Sequence, residues 1–391
     1  MKTPGFLNLP QWHEQLLQLI KELGYDELLR SPVLGEENIE RPWVSFSRDD
    51  FYAAVETGIH FPGRHPLNRE THKVVTADAE LAISRIQQGK YQDTYFSAAI
   101  GATFPLLRML ISPLLSELPT RFIVQNDSVV SFILSCMEKE NKSLSEATAS
   151  AQWDGAAISN PNPSLHGLVS KNRLILQIAE IFGVQISRDD IKSIGITSVT
   201  PKDIKSGKDL GYSLRMLAMA SFDGNVLKAC VEPCMIPSSY FLAQNRGGSE
   251  MLYSQTGNGR SQVFACPGTS LETITRGILT DIYNPPVRHP NLVTPNAVEE
   301  FADHFLLRIK LADCVSTLSQ VLNVFHKFQV GIEKLIQPAC QVSHETSDCS
   351  EPVLIIITDK VYRRVIDRVI KETHQNIKLS QVEACFRFIG R

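Results

Sequence analysis

The sequence is notable first for what is missing. Among its 391 residues there is no G-x-G-x-x-G, and before His72 the only glycines are Gly5, Gly24, Gly35, Gly58 and Gly63. A dinucleotide fold needs a Gly-rich turn at a helix N-terminus to hold pyrophosphate, so no nicotinamide site is legible. There is no C-x-x-C pair among eight scattered cysteines, and Cys230 and Cys234 lack the second ligand pair of a zinc site. Reduced cysteines in a core are the reading that follows, with no metal. Charge of one sign is not in excess. Lys and Arg number 39, Asp and Glu 42, for a net charge of -3. That balance gives no electrostatic case for nucleic acid or an acidic membrane. Long apolar runs are absent too. The richest, Phe104 to Leu118, is broken by Pro105, Arg108 and Pro113, and no spanning helix is expected. The start, M-K-T-P-G-F-L-N-L-P, lacks the apolar stretch of a signal peptide, which points to a cytoplasmic protein.

What is present is an ordinary globular composition, 43% hydrophobic and 21% charged, with length for two or three domains. Trp12, Leu16, Leu19, Ile20 and Leu23 fall at helical spacing before Gly24. His60 and His65 lie in a Pro- and Gly-bearing loop without acidic or thiol partners at ligand spacing. Ser143 and Glu146 form a capping box ahead of an alanine-rich helix. Leu174, Ile175, Ile178, Ala179 and Phe182 make one apolar helix face, and Gly183 stops it. Residues 283–299 carry Pro285, Pro286, Pro290 and Pro295 and read as a linker. The tail from Phe305 reads β-α-β-β-α-β.

The most informative stretch is Trp153 to Arg173, W-D-G-A-A-I-S-N-P-N-P-S-L-H-G-L-V-S-K-N-R. The spacing of Gly155, Pro161, Gly167 and Leu174 resembles the homoserine dehydrogenase family. H-K-V-V-T-A-D-A-E-L (72–81), Y-F-S-A-A-I-G-A-T-F-P-L-L (95–107) and N-D-S-V-V-S-F-I-L (126–134) resemble further family segments. The family's charged groups do not accompany its frame. The resemblance places its glutamate at Ile158, aspartates at Asn160, Ser164 and Val169, one lysine at Arg173 and another at Asp78 or Ala79. The tail resembles an ACT domain, a small ferredoxin-like fold that often binds amino acids. Its ligand turn falls on Asp313, Cys314, Val315 and Ser316, and its second on Gly331 and Ile332.

The resemblance implies an α/β (α+β) chain in four parts. Residues 1–98 are a truncated remnant of the dinucleotide-binding region, and 99–283 a substrate and dimerisation domain. Residues 284–299 are the linker and 300–391 the ACT-like domain. Too few residues precede Thr76 for a full doubly wound domain. With Ala79, Ile158, Val169 and Arg173 at the family's catalytic positions, no proton carrier remains. An arginine stays protonated and cannot shuttle protons. No dehydrogenase activity and no cofactor are expected. The remaining pocket is assigned to Asp127, Ser131, Asn160, His166, Lys171 and Arg173. One reading is a catalytically degenerate homodimer, paired through the substrate-domain sheet, that regulates, scaffolds or senses an amino acid. A protein is the alternative partner. A second reading is repurposed non-redox chemistry on an amino-acid-like substrate, with His166, Lys171 and Asp127 as proton carriers and Arg173 binding carboxylate. A third is a divergent NAD(P)-dependent homoserine dehydrogenase.

Overall fold

A computed structural model describes residues 44–46, 53–57, 73–76, 79–96, 100, 118–154, 156, 160–268, 277, 281, 290–311, 316–337, 353–376 and 380–389. The expected helix at Trp12–Leu23 and the histidine loop at 60–68 lie outside them.

The first part is a four-stranded sheet of β1 (Val44–Phe46), β2 (Ala53–Thr57), β3 (Lys73–Thr76) and β4 (Thr94–Tyr95), in that spatial order. The first two pairings are antiparallel and β3–β4 is parallel. A parallel neighbour needs a crossover, supplied here by α1 (Ala79–Gln87). Its Ala79, Ala82, Ile83 and Ile86 recur at helical spacing and are buried. The Tyr91 hydroxyl, beyond α1, donates to Glu180 at 2.8 Å and ties this part to the next.

The centre is a sheet of β5 (Pro119–Gln125), β6 (Tyr212–Phe222), β7 (Val226–Pro237), β8 (Glu250–Thr256) and β9 (Ser261–Cys266). The spatial order is β7-β6-β5-β8-β9 and every pairing is antiparallel. Helices α2 (Ser128–Glu140), α3 (Leu144–Trp153), α4 (Asn162–Leu165), α5 (Leu168–Phe182) and α6 (Pro201–Asp209) complete this part. Alternate strand residues point to opposite faces. Phe122, Val124, Met216, Ala218 and Val231 join Ile133, Leu174 and Ile178 in the main core. Ile123, Leu217, Met219, Cys230, Cys234 and Ile236 face the other way, onto Leu242, Tyr253 and Phe301. The capping box is formed, with Ser143 N donating to Glu146 Oε2 at 2.8 Å and Glu146 N to Ser143 Oγ at 3.3 Å. Gly183 ends α5 in the left-handed region at φ 64°.

The tail keeps the expected order of elements. β11 (Ala302–Leu311), α7 (Ser316–Lys327), β12 (Ile332–Ile336), β13 (Val353–Thr358), β14 (Val361–Tyr362), α8 (Arg363–Asn376) and β15 (Ser380–Phe388) follow in turn. The spatial order β12-β13-β11-β15 is that of a ferredoxin-like unit. Phe305, Leu307 and Ile309 pack on Val321, Phe325, Ile366 and Val369 of its helices. The opposite face, with Leu306, Ile355, Ile357 and Phe386, joins the main core.

The sheet runs on between the two parts. β15 pairs in parallel with β7, Arg387 opposite Cys234 and Phe388 opposite Met235. The strands of the centre and the tail thus form one eleven-stranded sheet, separate from the four-stranded one. The proline-rich stretch read as a linker is bound where it is described. Val293 N donates to Gly183 O at 2.8 Å, and β10 (Ala297–Glu299) pairs with β7.

No helix among the described residues is long and apolar enough to cross a membrane.

Candidate functional site

The turn from β5 into α2 sets the floor of the site. Asp127 is the N-cap of α2. Its Oδ1 accepts from Val129 N at 3.1 Å and Val130 N at 3.3 Å, satisfying amides that a helix start leaves unpaired. Oδ2 is buried and has no hydrogen bond among the described residues. Burial raises the Asp127 carboxyl above its ordinary value. The opposing pull of Arg173, the Ser164 hydroxyl and the Val130 and Val129 amides does not offset it. Ser131 is half-buried in the first turn, where its N–H bonds to Asp127 O at 3.0 Å.

Arg173 enters from α5, 8% exposed. Its Nη1 donates to the carbonyl of Asn126 and, at 3.1 Å, to Oε1 of Glu250 on β8. Glu250 is fully buried. The Asn126 amide in turn donates to Gln177 Oε1 at 3.1 Å and Ser170 O at 3.4 Å. A charge-assisted bond to a buried carboxylate is among the stronger pairings available to a guanidinium. Arg173, on α5, is therefore held by the β5–α2 turn and by β8 together.

The other expected pocket residues do not converge here. Asn160 is exposed, and its Oδ1 accepts from Asn162 N at 3.1 Å, an Asx turn that opens α4. His166 is exposed at the end of α4. Lys171 is half-buried, which lowers its ammonium below the ordinary range, and the charges that act on it are Asp189 and Arg188. Helical geometry explains the separation. Residues 171 and 173 are two apart in α5, so they point away from each other. The proposed joint action of His166, Lys171, Asp127 and Arg173 thus reduces to one contact region, that of Asp127 and Arg173. Val169 and Ala79 are buried apolar residues. Ile158 lies outside the described residues.

In the tail, Asp313 lies outside the described residues and Ser316 begins α7. A Cβ on Gly331 would collide with the Asp359 carboxylate and lie 2.9 Å from its Cγ. Asp359 N also donates to Gly331 O at 2.9 Å. That approach explains the glycine. Ile332 is half-buried at the start of β12.

A second buried charge cluster was not anticipated. Glu232 on β7 accepts from Arg387 Nε at 2.6 Å and Arg363 Nη1 at 3.1 Å. Arg387 also meets Asp303 at 2.6 Å, and both arginines lie over the Phe305 ring. Arg308 Nε donates to Asp203 Oδ1 at 2.7 Å and its Nη1 to Glu383. The sequence signal is one or two charges inside an apolar strand, as in C-V-E-P-C, F-R-F and L-L-R-I-K-L. No group of three or more His, Cys, Asp or Glu among the described residues could hold a metal.

The family model described as homoserine dehydrogenase matches residues 124–283. The homoserine dehydrogenase of Bacillus subtilis (strain 168) is 24% identical over 313 residues, 76% of this chain and 70% of that protein. The one from Lactococcus lactis subsp. lactis (strain IL1403) is 21% identical over 311 residues, 74% and 70% of the two chains. The crystal structure of a homoserine dehydrogenase from Thiobacillus denitrificans is similar at a TM-score of 0.69 and 18% identity. The match covers 81% of this chain and 76% of that one. At such identity the structural likeness speaks for the fold.

Proposed function

We propose, from the premise that this chain belongs through residues 124–283 to the homoserine dehydrogenase family, that it keeps the family's frame without hydride transfer. In this reading it works as a scaffolding or amino-acid-sensing dimer, and the ferredoxin-like tail is an ACT domain. The observation that carries the reading is the state of Arg173. It stands where the resemblance puts the family's lysine, yet its charge is met internally by Glu250 and the Asn126 carbonyl. A guanidinium so held neither takes a proton from a substrate hydroxyl nor swings out to do so. Val169 and Ala79, at two other charged positions of the family, are buried hydrocarbon.

The first sheet supports the same reading. Dinucleotide-binding domains place pyrophosphate at a turn between parallel strands and helices. Two of the three strand pairings described there are antiparallel, and Glu80 puts negative charge in the first turn of α1. These residues do not fit a nicotinamide dinucleotide. The test is a spectrophotometric assay of homoserine oxidation with NAD and with NADP, run beside calorimetric titration of both nucleotides. The expected result is no turnover and no binding heat. Turnover with either nucleotide would overturn the reading. A thermal-shift screen with homoserine, threonine, methionine, lysine and aspartate separates sensing from scaffolding, since a ligand of the folded state raises the midpoint.

A further inference from the structure

We propose that residues 192–196 form a strap through which the ferredoxin-like tail fixes the start of α5, the helix that carries Arg173. At one end, Lys192 pairs with Asp367 of α8, and Asp367 also accepts from Arg363 Nε at 2.8 Å. Arg363 is itself anchored on Glu232 of β7. In the middle, the strap meets β7 through an isolated parallel bridge. Val231 N donates to Lys192 O at 3.2 Å and Ile194 N to Val231 O at 2.8 Å, beside the Ser193–Val231 bridge. At the other end, Ile196 N donates to Leu165 O at 2.8 Å. There is no clearance at that end. A Cβ on Gly195 would collide with Leu165 O and lie 2.6 Å from His166 Cα. Gly167, whose φ of 76° makes the turn into α5, has its own free face against Ile194 O at 3.3 Å.

From Val231 to the Leu165–Gly167 turn every link is a backbone hydrogen bond or a backbone packing contact, and at the α8 end the half-exposed Lys192–Asp367 pair stands beside the buried Arg363–Glu232 pair; close-packed interiors pass displacement on rather than absorb it. A shift of α8 is thus carried by Lys192 and Val231 to the Leu165–Gly167 turn, and from there to Arg173 two turns into the helix. The coupling does not depend on whether the site is catalytic, sensing or inert.

Hydrogen–deuterium exchange on the full chain tests it with Gly195→Ala against Gly268→Ala. Both variants force a Cβ into backbone of the central part, the second against the Gly248 carbonyl. Gly195→Ala is expected to speed exchange about tenfold in peptides 162–172 and 363–372 while strand 214–220 keeps its protection, the pattern of a local opening. Gly268→Ala is expected to act on 126–135 and leave 363–372 unchanged. Unchanged exchange in 363–372 for Gly195→Ala overturns the proposal, as does an equal rise there in both variants. If Gly195→Ala does not fold, Lys192→Met takes its place. About twofold faster exchange in 162–172 supports the strap, and unchanged exchange there overturns it.

Discussion

Arg173 and Glu250 meet at 3.1 Å, one from the middle of a helix and the other from the first residue of a strand, with side chains 10% and 0% exposed. A buried pair of this kind is weak evidence for stability, because desolvation offsets most of the attraction. Breaking it from one side is another matter, since the remaining charge is left unmet. Glu250→Gln is therefore expected to destabilise the fold by about 3–5 kcal/mol, measured by urea denaturation. Arg173→Met combined with Glu250→Leu should recover most of that loss. A single variant with wild-type stability would mean that Arg173 finds another partner, contrary to its fixed position.

Asp127 sets an expectation for pH. Its carboxyl is raised by burial in the folded protein, so between the ordinary carboxylate value and the raised one the folded state holds a proton that the unfolded state has released. Stability attributable to this group is greatest in acid and falls as pH rises through that window. Asp127→Asn keeps the helix cap, for asparagine caps as well as aspartate. The variant should lose this component of the pH dependence and be at least as stable as wild type at neutral pH. Denaturation midpoints across the acid range check it, and an unaltered pH profile would contradict it.

Glu232 holds two arginines at once. Glu232→Gln removes the shared counter-charge while keeping the shape, and should cost about 3–5 kcal/mol. Because Glu232 lies on β7 and its partners in the tail, one transition should be seen for both parts in wild type. The variant should split it into two, resolved by calorimetry. A single transition at an unchanged midpoint would refute this.

Local features were legible in the sequence because their causes are local. The Ser143–Glu146 box, the Gly183 stop and the order of elements in the tail each depend on residues a few positions apart. The site was legible as a frame, since glycine and proline spacing marks turns, and Asp127 and Arg173 lie in one contact region. The resemblance groups His166, Lys171 and Asn160 with them, whereas His166 and Asn160 are exposed and Lys171 lies on another face of α5 from Arg173. Glu250, Asn126 and Gln177 could not be found this way. Glu250 lies 77 residues from Arg173, and no periodicity relates them. The charges of Glu232, Arg308 and Arg387 interrupt apolar strands, and a strand charge reads equally well as a solvent-facing residue until its partner is known.

The parallel seam between β15 and β7 also bears on how the molecule is made. The Glu232–Arg387 bond joins residues 155 apart. A ribosome delivers β7 long before the strand that covers its edge. In that interval β7 offers unpaired amides and carbonyls beside an apolar face, the kind of edge that recruits foreign strands. β10 shields only its first three residues, and the earlier 192–196 segment only Val231. A newborn chain therefore passes through a period of dependence on whatever guards open strand edges in its cell, and it ends only when residues 380–388 arrive.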